Sequence, residues 1–251
     1  MCEDERQWVP AGGQRWTTLG ALREKHRNYY LRKEPGLMSI GTTPDFAIGQ
    51  RAFLVQGRGG TVLWDCIPLI DQATVDIVTA LGAPRAIAIS HPHYYSTQVE
   101  WSRALGGVPV YLHIADSRWV MRPDPCIRFW DGETLELAPG MTLIRCGGHF
   151  AGGTVMHWAD GAEGRGALMS GDVIQVAPDR KTVSFMRSYP NMLPLSAAAV
   201  KRIAATVQPY AFDRVYGAFW GRVIWEGGKA AVAHSAERYV RWVEGTEPDE
   251  A

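Results

Sequence analysis

The chain has 251 residues, 46% of them hydrophobic, with 26 lysines and arginines against 26 aspartates and glutamates and a formal net charge of +0. That length suits one large domain with a substantial core rather than two independent ones, and the charge balance, without a long basic tract, excludes a nucleic-acid-binding surface. No apolar run reaches the roughly 20 residues that cross a bilayer, and the polar stretch Met1-Cys2-Glu3-Asp4-Glu5-Arg6 lacks the apolar centre of a signal peptide, so a cytoplasmic protein without a membrane partner is expected.

Residues 1–36 read as an arm on the main domain. Within it, Thr18 to Tyr30 has helical spacing, with Leu19, Leu22, His26 and Tyr29 able to share a face. From Leu37 the pattern changes to short strands split by turns: Met38-Ser39-Ile40, then Asp45 to Ile48, then Arg51 to Gln56 and Thr61 to Asp65 joined by the hairpin signal Gly57-Arg58-Gly59-Gly60. Asp71 to Leu81 is helical in pattern and leads to the apolar run Ala86 to Ile89, a buried strand. Thr97 to Leu105 reads as a helix, Val108 to Leu112 as a strand and Ala115 to Met121 as a short helix. Leu135 to Ile144, Val155 to Trp158 and Ala167 to Ser170 read as strands, and Ser196 caps a helix to Val207. Phe212 to Tyr216 is a late strand and Ala230 to Val243 a final helix. Strands alternating with helices predict α/β layers.

Three of these strands empty into metal-type ligands. Ala86 to Ile89 runs into Ser90-His91-Pro92-His93-Tyr94-Tyr95-Ser96, which puts two imidazoles one residue apart where a loop leaves the sheet. His149 sits in the glycine-rich turn Gly147-Gly148-His149-Phe150-Ala151-Gly152-Gly153, and Asp172 closes Ala167 to Gly171. Of the seven histidines, His26, His113, His157 and His234 are given structural or solvated roles. The four cysteines Cys2, Cys66, Cys126 and Cys146 form no CxxC pair, so neither a disulfide framework nor a cysteine zinc site is indicated. Cys146 is noted for its place three residues before His149. Trp101, Trp130, Trp220 and Trp225 suit an aromatic pocket and core packing equally well.

Over roughly residues 37–225 these features resemble the metallo-β-lactamase superfamily of αββα hydrolases. His91 and His93 match the first two histidines of its His-x-His-x-Asp-His motif, His149 its third-motif histidine, Asp172 its metal-bridging aspartate and Asp65 its first-motif aspartate. The resemblance implies a four-layer αββα sandwich over residues 37–251, an Asp65 that steadies the histidine loop by hydrogen bonds from behind, and a helper role of the same kind for Ser96. It also likens Met1 to Gln7 to the tail of a cysteine-rich knuckle found ahead of this domain in longer relatives. Where the motif places Asp-His, however, this chain has Tyr95-Ser96, and the late strand runs into Tyr216-Gly217-Ala218-Phe219-Trp220-Gly221 with no histidine. The missing groups are those that hold a second metal, so the resemblance implies one ion.

One zinc ion, with iron or manganese as other candidates, would be held by His91, His93, His149 and Asp172. It lowers the pKa of a bound water to roughly 7, which suits attack by hydroxide on an ester, thioester or lactone. Asp172 either binds the ion or orients the water as a base. Tyr94 and Tyr95 either donate to a developing oxyanion or fill volume left by the lost ligands. Two further readings stay open: an iron-dependent oxygenase like the superfamily's persulfide dioxygenases, and a silent scaffold braced by metal. The expected partner is a small-molecule substrate, and a homo-oligomer is compatible.

Overall fold

The computed structural model describes residues 4–246. Thr18 caps the short helix α1 (Leu19–Lys25) by accepting from the Ala21 amide, and the chain turns extended at His26. The helix expected through Tyr30 therefore stops early: β1 (Arg27–Glu34) pairs antiparallel with β2 (Leu37–Thr43) and is the edge strand of the first sheet, so residues 27–34 of the expected arm lie in that sheet. Pairing across the sheet overrides the helical spacing. Residues 45–48, expected to be extended, form a turn with Ala47 at φ 55°, and Phe46 packs edge-on against His26.

The first sheet continues through β3 (Ala52–Gly57), β4 (Gly60–Trp64), β5 (Pro84–Ala88), β6 (Val110–His113) and β7 (Ile127–Trp130), in chain order from edge to edge. Helices α2 (Gln72–Gly82), capped by Asp71, and α3 (Gln98–Ala104) connect parallel strands, as crossovers must. The region expected as one short helix after β6 is a 3-10 turn, Ile114–Trp119. The second sheet holds β8 (Thr134–Ala138), β9 (Met141–Arg145), β10 (Thr154–Trp158) and β11 (Ala167–Gly171); the single run expected over Leu135 to Ile144 is broken by a turn at Pro139-Gly140. Two small ribbons follow, β12 (Gln175–Val176) with β13 (Val183–Ser184) and β14 (Met186–Ser188) with β15 (Leu193–Pro194). After α4 (Ala197–Val207), β16 (Arg214–Gly217) and β17 (Val223–Ile224) complete the sheet in the order β17-β16-β11-β10-β9-β8, and α5 (Gly228–Glu244) closes the chain.

Period-2 alternation sorts the side chains into layers. Phe53, Val55, Val62 and Trp64 of the first sheet meet Leu143, Met156, Trp158, Met169 and Tyr216 of the second in a core between the sheets. Their neighbours face outward. Leu54, Leu63 and Ile87 pack beneath Val78 of α2 and Trp101 of α3, while Ile144, Val155 and Leu168 pack beneath Val200 and Ile203 of α4 and Val232 and Val240 of α5. The result is the expected αββα sandwich. Among the described residues no helix is long and apolar enough to cross a membrane.

Candidate metal centre

All four expected ligands converge at one end of the sandwich, beyond the carboxyl ends of β5, β9 and β11. His91, His93, His149 and Asp172 each offer a ligand atom, and these atoms all lie within 4.8 Å of one another. His91, His149 and Asp172 are at most 3% exposed, and His93 is partly buried. The sheets are joined at this point, where the Thr154 amide at the start of β10 donates to the Ser90 carbonyl.

His91 and His149 are oriented from behind. The Nδ1 of His149 lies 3.0 Å from the Arg187 carbonyl, which can only accept, so Nδ1 carries the proton and Nε2 keeps its lone pair. Ser90 Oγ lies 2.9 Å from Nδ1 of His91 and fixes the orientation of that ring. Asp65, in a left-handed conformation (φ 60°) just after β4, accepts from the Ser90 amide at 2.7 Å and so ties the start of the histidine loop to β4. Burial pushes the Asp65 carboxyl up to about 8, opposed by its hydrogen bonds from Ser90.

The Nε2 atoms of His91, His93 and His149 are buried and have no hydrogen-bond partner. Three converging unsatisfied acceptors are costly in a folded interior and need something to pair with. Burial drives all three imidazoles down to about 3, so they are neutral at physiological pH, which is the protonation state a metal requires. The Oδ2 of Asp172 lies 3.4 Å from Nε2 of His91, and burial raises its pKa. Three neutral imidazoles and one carboxylate suit zinc or iron, so the residues present fit a metal ion.

The loop that carries His149 has no ladder of its own. Gly147 and Gly148 take positive φ (69° and 86°), the amides of Cys146 and Gly147 donate to the Gly153 carbonyl, and the Gly152 amide donates to the buried Asp116. A Cβ on Gly153 would lie 2.8 Å from the Gly147 carbonyl oxygen, so the loop closes only over glycine.

Among curated proteins, the chain is 52% identical over 243 residues to the uncharacterized protein YmaE of Bacillus subtilis (strain 168), a match that spans 96% of this chain and 88% of that one. Among solved structures it is similar to the DIM-1 metallo-β-lactamase (TM-score 0.63, 14% identity, 88% of this chain and 98% of that one). It is also similar to TTHA1623 in a di-iron-bound form (TM-score 0.54, 22% identity, 74% and 94%). This chain belongs to the YmaE family and has the metallo-β-lactamase fold. No protein-family model matches it.

Against the ligand set that resemblance to metallo-β-lactamases implies, the second-metal positions hold no ligand. Tyr95 is 8% exposed and belongs, with Trp101, to the apolar cluster on the outer side of the first sheet. Ser96 is exposed beyond the 3-10 turn at Pro92–Tyr94 and is not among the residues that hydrogen-bond the ligands, because the chain is already turning into α3. The stretch after β16 is drawn to the first sheet: Arg51 donates to the Gly217 carbonyl at 2.8 and 3.1 Å, and Trp220 stacks on Tyr29. Tyr94 does stand at the site, its ring 4.5 Å from that of His91 and its hydroxyl 3.4 Å from Asp172 Oδ1. Burial raises its pKa far above the ordinary value, keeping it a neutral phenol.

Several residues at the site carried no sequence signal. Besides Ser90 and Asp116, Tyr189 donates to the Asp172 carbonyl at 2.9 Å with its ring 5.4 Å from that of His149, and Arg6 packs on Phe150. Cys146 is buried, its thiol pushed up to about 12 by burial and directed at the Ile144 carbonyl, so it is not a ligand. His113 and His157 bond backbone carbonyls, and His234 is exposed on α5. Trp101 and Trp130 are core residues and Trp225 is half-exposed. Cys2 lies outside the described residues.

Proposed function

We propose that this protein is a mononuclear metal-dependent hydrolase of a small ester, thioester or lactone. The observation that carries this reading is the converging set of three buried, unpartnered imidazole nitrogens and one carboxylate, beside second-metal positions occupied by Tyr95, Ser96 and the Tyr216 to Gly221 stretch. Bound there, a divalent ion supplies Lewis acidity, lowering the pKa of water to about 7 and polarising a carbonyl. The residues of the chain supply the rest. The Arg187 carbonyl holds His149 in the tautomer that offers Nε2, and the Ser90 hydroxyl fixes the orientation of the His91 ring. In hydrolysis the water oxygen bonds the carbonyl carbon, the C–O or C–S bond breaks, and Asp172 carries the proton from the water to the leaving group. Tyr94, a neutral donor beside Asp172, holds that carboxylate in place.

Metal content and turnover test the reading together. Protein purified without added metal should hold one ion per chain and hydrolyse members of an ester, thioester and lactone panel, and His93→Ala should lose both ion and turnover. Two ions per chain would overturn the mononuclear reading. Iron together with oxygen consumption on a thiol or persulfide substrate would replace hydrolysis by oxygenation. A metal with no turnover on any of these would make the centre structural.

A further inference from the structure

The segment Asp4-Glu5-Arg6 reaches the metal centre from the far end of the sequence. Arg6 is 3% exposed, and every nitrogen of its guanidinium is committed: Nε and one terminal nitrogen to the Asp4 carboxylate at 2.6 Å each, the other terminal nitrogen to the His149 carbonyl at 2.9 Å. Its planar head lies 3.7 Å from the centre of the Phe150 ring. Phe150 in turn touches all three ligand imidazoles, its ring centre 5.6, 5.0 and 4.9 Å from those of His91, His93 and His149. Arg6 thus presses one aromatic wall against the whole histidine set while gripping the backbone of the third histidine.

Glu5 grips the opposite side of the same ligand. Its carbonyl accepts from Ser188 Oγ and Asn191 Nδ2, both at 2.7 Å, and its carboxylate pairs with Arg187 at 3.1 Å. Arg187 is the residue whose carbonyl fixes the His149 ring. Two adjacent residues therefore hold both the main chain of His149 and the residue whose carbonyl orients its side chain.

We propose that Asp4 to Arg6 form a clamp that completes the metal centre, with Arg6 as a positioning residue for His149. The inference rests on the reading of His91, His93 and His149 as metal ligands, with Asp172 at the same centre. The clamp slows release of the ion and sets the geometry of its field. The experiment loads the full-length protein with cobalt(II), reads its visible absorption bands, and follows release to a chelator. Arg6→Ala should speed release about ten-fold and shift the bands, and Arg6→Lys should recover part of both. Arg165→Ala, which breaks a surface ion pair with Asp213, should change neither. If Arg6→Ala does not fold, Glu5→Gln combined with Asn191→Ala loosens the clamp from its exposed side and should speed release in the same direction. Wild-type release and an unshifted spectrum in the folded variants would overturn the clamp while leaving the metal centre intact. A wild-type protein that takes up no cobalt would overturn both.

Discussion

Ser90 shows how one small side chain commits a metal ligand. Its hydroxyl turns His91, its amide is held by Asp65, and its carbonyl is tied to Thr154 in the other sheet. Ser90→Ala should leave the fold in place and weaken metal affinity about ten-fold, as removal of such supporting partners does; competition against a chelator of known affinity measures it. The histidines also predict a pH dependence. Unfolded imidazoles take a proton below about 6.5, whereas these hold out to about 3, so the unfolded state binds more protons in between. Lowering pH through that window should cost the metal-free protein about 1.4 kcal/mol per histidine per pH unit. Because the raised carboxyls of Asp65 and Asp172 act in the opposite direction, the comparison is between metal-free wild type and metal-free His93→Ala: thermal midpoints between pH 7 and pH 4 should fall less steeply in the variant, and equal slopes would show that the His93 ring is not buried neutral. The ligands were legible because residue type and strand-exit position both announce them. Ser90, Tyr189 and Arg6 were not, since a serine beside a histidine or an arginine near a terminus acquires its role only through contacts made across the fold.

At the scale of the element, the end of β11 decides where Asp172 points. Gly171 sits at φ 51°, and a Cβ there would lie 2.6 Å from Ser90 Oγ and 2.7 Å from its Cβ. Gly171→Ala should therefore cost about 1–3 kcal/mol through the left-handed backbone alone and also push Ser90 away from His91. Both a lower thermal midpoint and weaker metal binding are expected, the second separating it from a plain destabilising substitution. Elements with strong patterns were readable in advance: α2 begins after Asp71 and α4 after Ser196, where a capping side chain meets amphipathic spacing. The stretch from Arg27 was not. Leu22, His26 and Tyr29 continue a helical stripe on paper, but seven cross-strand partners on β2 hold residues 27–34 extended. Local periodicity cannot register a partner strand.

For the whole molecule, the sheets are also joined at the end away from the metal centre. Glu34, at the end of β1 and 7% exposed, accepts from Tyr216 and Arg214 of β16, each at 2.5 Å, and from the Ala162 amide at 2.9 Å. Removing one partner of a buried ion pair strands the other, so Glu34→Ala should lower stability by about 3–5 kcal/mol. Denaturant unfolding measures it, and metal stoichiometry should be unchanged because the ligands lie elsewhere. The layered architecture was readable from alternating strands and intervening helices; this joint was not, because its members are 180 and 182 positions apart.

The grip of Arg6 on the His149 loop carries a consequence for biosynthesis. During translation residues 4–6 leave the ribosome long before residues 149 and 187 exist, so the earliest part of the described chain is among the last to find its seat. Until then the loop that carries His149 lacks its contacts with Arg6 and Glu5. A bulky affinity tag fused directly ahead of this segment would crowd that last docking event, whereas one placed after α5 would leave it undisturbed.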